Sequence, residues 1–245
     1  MKRSIHYIIY ITSLAVLIAS CTQGELPAME EARGTLCISL SRQGVPQVAT
    51  RAIDSDLALT LTRQDGSVYK TFAPGEVPAS IQVEAGVTYT LRAYTDNQDT
   101  WQTANSGKGE ACYSGETTVT VGEDETVYCT YRVPMLNYAV TLTLPEFFDA
   151  LFTSYTFSLA SQGRETVYVR QGEKAYFAVD AGFTYRLTAT NNDNKTSSHS
   201  AIEFPDVEAG KLYNIKYVYG SDINQGGIDI EITDDEEHED VDIEI

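Results

Sequence analysis

Two stretches of the chain, VEAGVTYTLRAYTDN from Val83 and VDAGFTYRLTATNND from Val179, are near-copies 96 residues apart. In the first, Val87, Tyr89, Leu91 and Ala93 alternate with Thr88, Thr90, Arg92 and Tyr94; in the second, Phe183, Tyr185, Leu187 and Ala189 alternate with Thr184, Arg186, Thr188 and Thr190. A period of two with one apolar face is the pattern of a half-buried β-strand. Ala85-Gly86 and Ala181-Gly182 precede the two copies, and glycine suits a tight turn because it reaches positive φ at little cost. Asn and Asp clusters follow both, which favours loops. Leu59-Thr60-Leu61 before Gln64-Asp65-Gly66 echoes Phe157-Ser158-Leu159 before Gln162-Gly163, so the duplication extends over whole modules.

A spacing near 96 residues is too long for a solenoid repeat and matches a β-sandwich unit of ~100 residues. Sixteen tyrosines, with Thr and Val throughout and turn residues between short alternating runs, support an all-β chain. The expectation is two tandem β-sandwich domains of transthyretin or immunoglobulin type, over residues 34–133 and 135–220. The exception is residues 145–152, where Pro145 and apolar residues three and four apart predict a short helix capping one end of the second sandwich.

Lys2 and Arg3 precede an apolar stretch of residues 5–19, the layout of a secretory signal peptide over residues 1–20 and too short to span a bilayer as a helix. Ile18-Ala19-Ser20-Cys21 resembles the lipobox of bacterial lipoproteins, which implies lipidation at Cys21 and a partner in the membrane through that lipid. Two or three acyl chains anchor stably where one does not. Residues 21–33 then form a tether, and the expected location is the outer membrane, on its surface or periplasmic face.

The formal charge is −18, and loss of residues 1–20 with Lys2 and Arg3 leaves −20. Nucleic acid and anionic bilayers are repelled by such a chain. Eleven of the acids lie in residues 222–245, which contain no Lys or Arg. Within this extension, residues 221–245, Ile228, Ile230 and Ile232 alternate with acids, as do Val241, Ile243 and Ile245. A lone hairpin is marginal in water, so these strands either close the second sandwich, pack between the domains, or are donated to another molecule by β-augmentation. The acidic loop between them lacks the ligand order and glycine of a calcium loop, so no metal or other cofactor is expected.

With Cys21 lipidated, Cys37, Cys112 and Cys129 remain. Cys129 lies on the apolar face of an alternating run and fits a core position, while a Cys112–Cys129 bridge stays open. The histidines of the mature chain, His199 and His238, adjoin no nucleophile motif, and phosphate-loop and zinc signatures are absent; the chain is not read as an enzyme. Trp101, the single tryptophan, lies in a polar segment where a ring either stacks on a ligand or folds back over the sandwich edge.

The lipobox, Thr50-Arg51-Ala52, the V-x-A-G-x-T-Y-x-L core, Tyr113-Ser114-Gly115, Val127-Tyr128-Cys129, residues 142–155 and Ala175-Tyr176-Phe177 together resemble the Bacteroidales lipoproteins of domain-of-unknown-function family 4493. That family is similar in architecture to fimbrillins and their anchor subunits, which carry two transthyretin-like sandwiches. The resemblance implies pilus or other envelope subunits as partners, processing at Arg51 that removes an amino-terminal strand, and a carboxy-terminal strand as donor. Two functions follow as expectations: a fimbrillin-like subunit or anchor, or a surface glycan- or host-ligand-binding module contacting its ligand through Trp101.

Overall fold

The computed structural model describes residues 32–43, 53–198, 200–218 and 227–234. Cys21, Arg51, His199, His238, Val241, Ile243 and Ile245 lie outside them. The described chain is almost entirely strand. Its first seven strands are β1 (Arg33–Arg42), β2 (Leu57–Arg63), β3 (Val68–Phe72), β4 (Ser80–Glu84), β5 (Thr88–Thr95), β6 (Ser114–Thr120) and β7 (Thr126–Val133). They form a sheet of order β4-β1-β7 facing one of order β3-β2-β5-β6.

Alternation explains the packing of this module. Tyr89, Leu91 and Ala93 of β5 and Leu57, Leu59 and Leu61 of β2 are fully buried, and they meet Leu36, Ile38 and Leu40 of β1 in one core. Between them the side chains turn to the other face of each sheet, as the two-residue period requires, where Arg92 is exposed while Ala58 and Ser39 are still covered.

The second module repeats the plan with β8 (Asn137–Thr143), the one-turn helix α1 (Phe148–Leu151), β9 (Phe152–Ser161), β10 (Val167–Val169), β11 (Lys174–Ala178), β12 (Phe183–Asn191), β13 (Thr196–Ser198), β14 (Ile202–Phe204), β15 (Lys211–Val218) and β16 (Gly227–Asp234). One sheet has the order β11-β8-β15-β16; the other runs β10-β9-β12-β13, with β14 also on β12. Its core is aromatic: Tyr138, Phe157, Phe177, Phe183 and Tyr213 are buried, with the Tyr138 ring edge-on to Tyr213 at 5.6 Å. Such pairs add to what area burial alone contributes.

Two local expectations change. The helix spans only Phe148–Leu151, because Phe147 adopts a left-handed backbone (φ 63°) and the turn from Pro145 closes through Phe148 N–H to Pro145 O at 3.2 Å. The two repeat glycines also differ. Gly86 has φ +74°, but Gly182 does not enter positive φ; a Cβ there would stand 2.2 Å from Phe204 O, so close backbone approach demands the glycine.

The modules are tied through the segment between β5 and β6. Leu136 N–H donates to Cys112 O at 2.7 Å, Tyr113 bridges to Met135, and Tyr176 N–H of β11 donates to Lys108 O at 2.8 Å. No helix among the described residues is long and apolar enough to cross a membrane.

Candidate functional site

The strand that precedes Arg51 is built into the first sandwich. β1 lies between β4, antiparallel, and β7, parallel, and inserts Leu36, Ile38 and Leu40 into the core at 0–3% exposure. Gly34 lets it approach the turn after β6, since a Cβ would meet Gly122 O at 2.4 Å. The far end is clasped. Arg42 Nε donates to Asp54 Oδ2 at 2.7 Å and its Nη2 lies 2.9 Å from Asp56, while Asp54 N–H donates to Leu40 O. The chain therefore leaves at Gln43 and returns at Ile53 beside its point of departure, with Arg51 in between, outside the described residues.

The fit of β1 is imperfect. Ser41 Oγ is buried with no hydrogen-bond partner, the single such side-chain oxygen or nitrogen among the described residues. A buried polar atom left unmatched costs on the order of 1–3 kcal/mol.

At the other end, β16 pairs with β15 over eight residues, with Ile232 opposite Tyr213, Ile230 opposite Ile215 and Ile228 opposite Tyr217. Asp229 faces Lys216 and Asp234 faces Lys211 across the same ladder. This stretch of the extension is thus the edge strand of the second sandwich, and opposite-charge pairs suit its register.

Trp101 sits half-buried in the segment joining β5 to β6, which side-chain amides pin in place. Asn97 Nδ2 donates to Glu110 Oε1 and Ala111 O, both at 2.9 Å, and Gln98 Nε2 to Tyr113 O at 2.9 Å. Trp101 itself donates N–H to Asn97 O and accepts from Glu110 N–H at 3.0 Å.

The second module grips this segment. The Arg164 guanidinium donates to the carbonyls of Gly107, Tyr176 and Gln102, the last at 3.1 Å, and lies 4.7 Å over the Phe177 ring. Burial pulls its pKa down from the ordinary arginine value. Beside it, Lys108 Nζ lies 2.7 Å from Glu173 Oε2. The adjoining open groove of about 780 Å³ is lined by Lys108, Phe152, Tyr155, Tyr168, Arg170 and Glu173, without Trp101. Arg164 had no signal in the sequence, because its partners Gln102 and Gly107 lie some sixty residues away and leave no local pattern.

Cys37, Cys112 and Cys129 are all free thiols. Cys129 packs against the first core and Cys112 is 2% exposed; burial raises both pKa values, which suppresses the reactive thiolate. Among the described residues, no group of three or more His, Cys, Asp or Glu converges to hold a metal ion.

Similar solved structures include a candidate cell adhesion protein from Bacteroides uniformis (11% identity, 82% of this chain and 97% of that one, TM-score 0.49). A fimbrial assembly protein from Parabacteroides distasonis matches at 12% identity over 82% of this chain and 97% of that one, with TM-score 0.45. A candidate polysaccharide-binding protein (DUF1812) from Bacteroides thetaiotaomicron matches at 11% identity over 76% and 91%, with TM-score 0.41. No curated protein matches the sequence. The model of the family described as Domain of unknown function (DUF4493) matches residues 32–245, and the chain belongs to that family.

Proposed function

We propose that this protein is a non-catalytic cell-envelope lipoprotein, anchored through lipid on Cys21, that serves as a fimbria-like subunit or anchor and assembles by strand addition. The observation that carries the reading is the seat of β1. The strand supplies a row of three core residues, is joined to the rest of its module by the segment holding Arg51, and contains the unmatched Ser41 hydroxyl. In the subunit version a cut at Arg51 leaves β1 held by non-covalent contacts alone, and its departure carries the Cys21 lipid away, frees the rest of the chain from the anchor and opens a slot between β4 and β7; in the anchor version the chain stays uncut and lipid-bound.

The incoming strand needs apolar residues at every second position to refill the places of Leu36, Ile38 and Leu40. Residues 228–232 and 241–245 of a neighbouring copy both meet that requirement. Arg51→Ala tests the reading directly: high-mass ladders crosslinked on intact cells are expected to disappear while the monomer keeps its melting temperature. Ladders that persist both in Arg51→Ala and after removal of residues 235–245 would defeat it.

A second reading is supported by the pinned segment around Trp101. A loop already fixed by side-chain amides loses little entropy when its aromatic ring stacks on a sugar. Here the protein is a surface glycan- or host-ligand-binding module, and Trp101 is the contact.

A further inference from the structure

The groove beside Lys108 owes its shape to a short strand. β9 runs over Phe152–Ser161, but its outer neighbour β10 covers only residues 157–159, so the first half of β9 borders open space. Phe148 braces that border, stacking on Phe152 at 4.4 Å and meeting Tyr155 edge-on at 5.8 Å. Tyr168 of β10 lines the same groove. Its neighbours Val167 and Val169 are buried, while Tyr168 itself is 62% exposed and belongs to neither core.

Three polar groups of this lining have hydrogen-bonding capacity left over. Glu173 Oε2 takes both Lys108 Nζ at 2.7 Å and the Arg170 N–H at 2.8 Å, which leaves Oε1 to accept from a ligand. Lys108 first, and then the Arg170 N–H, hold the Glu173 pKa below its usual value, so the carboxylate stays ionised. The Tyr155 hydroxyl accepts Gln171 N–H at 2.9 Å and keeps its own proton to donate. The Arg170 guanidinium forms no ion pair among the described residues.

An acceptor, two donors and an exposed ring together suit a polyhydroxylated ligand. A sugar hydroxyl both donates and accepts, so one group gives its proton to Glu173 Oε1 while accepting from Arg170 or Tyr155. The negative face of the Tyr168 ring attracts the C–H edges of a sugar. Charge selects within that class: Lys108 and Arg170 offset Asp149 and Glu173 in the lining, on a chain of net charge −18. A neutral glycan meets no repulsion there, whereas a sulfated or uronic acid polymer does. An extended peptide suits the border less well, because Thr153, Ser154 and Thr156 offer hydroxyls and not the apolar pockets that give a docked strand its specificity.

We infer that a neutral oligosaccharide binds along this groove, stacked on Tyr168 and hydrogen-bonded to Glu173, Arg170 and Tyr155, a site that rests on the glycan-binding reading and adds to it a contact apart from Trp101. Lys108 comes from the first module and the other contacts from the second, so the site is complete only where the two meet. Its groups are already held by Phe148, Lys108 and the backbone of residues 170–171, so little ordering opposes binding.

A panel of neutral oligosaccharides of hexose and N-acetylhexosamine tests it on the full chain, with sulfated and uronic acid counterparts and extended peptides as further arms. The parent and Trp101→Ala are both expected to bind neutral members, with an affinity that salt leaves unchanged. Tyr168→Ala and Arg170→Ala alter exposed side chains outside both cores, and each is expected to weaken binding in the Trp101→Ala background about ten-fold. Undiminished binding in both of these variants, or binding that Trp101→Ala alone abolishes, overturns the groove site and leaves the glycan-binding reading standing. A parent that binds no sugar overturns both, and one that binds only the anionic or peptide arms overturns the inference.

Discussion

The Asn137 carboxamide accepts the backbone N–H of Cys112 at 3.1 Å, and its Nδ2 donates to Glu110 O at 2.8 Å. One buried side chain at the start of β8 thus satisfies two backbone groups of the preceding module, and the two sandwiches share a polar joint as well as a covalent one. Asn137→Ala strands those groups. A loss of about 2–4 kcal/mol is expected, visible as a drop of several degrees in melting temperature by calorimetry. Asn137→Asp keeps the acceptor but sets an unpaired carboxylate against Glu110 O in a buried site, so its cost is expected to be at least as large.

Arg164 makes a separate prediction. Its planar fork reaches three carbonyls at once and stacks on Phe177, a geometry that an ammonium cannot reproduce. Arg164→Lys should therefore loosen the segment containing Gln102 and Gly107 nearly as much as Arg164→Met, by about 1–3 kcal/mol of local stability. Limited proteolysis reads this out: both variants are expected to be cut in that segment while the parent is resistant. Protection retained in Arg164→Lys would mean that charge alone, without the fork, holds the segment.

These joints mark the limit of what was legible in the sequence. The alternation in β5 and β12 is local, and each apolar position read from it is buried or partly buried. Gly86 was legible for the same reason, as its turn lies within a few residues. Gly182 was not, because its constraint comes from the backbone of Phe204, over twenty residues away. The strand character of residues 228–232 was written in their period, but that they lie against β15 depended on which edge was open. The helix was over-read because spacing reports an apolar face and cannot foresee Phe147 turning left-handed.

The contrast between the two glycines is itself testable. At Gly86 a methyl group meets nothing within 4 Å, so Gly86→Ala carries only the strain of positive φ, about 1 kcal/mol. At Gly182 the methyl group collides with backbone that no rotamer change can move. Gly182→Ala is expected to cost more, about 2–3 kcal/mol, and to act on the second module. Equal denaturation midpoints for the two variants would contradict this.

Acid sensitivity follows from two bridging carboxylates. The Arg63 guanidinium, bonded to Glu84 at 2.6 Å, lowers the Glu84 pKa, and Lys108 does the same for Glu173. A carboxylate with a depressed folded-state pKa contributes stability that is present above its unfolded value, near 4.5, and is lost as pH falls through the folded one. The melting temperature should therefore decline below about pH 4.5, and Glu84→Gln or Glu173→Gln should flatten that decline while changing less at pH 3 than at pH 7. Both pairs are partly exposed, so salt should weaken the effect.

Ser41 gives a prediction of opposite sign to most substitutions. Its hydroxyl is buried at 5% residue exposure on β1 without a partner, so removing it deletes a desolvation cost and no hydrogen bond. Ser41→Ala is expected to stabilise the protein by about 1 kcal/mol, raising the melting temperature by a few degrees. Under the strand-addition reading it has a second consequence: a better-seated β1 leaves its slot more slowly, so assembly after cleavage at Arg51 should lag behind the parent at equal cleavage. A time course of cleavage and ladder formation separates the two steps. A variant that is more stable yet assembles at the parental rate would mean that release of β1 does not limit assembly, and would redirect attention to the carboxy-terminal strands.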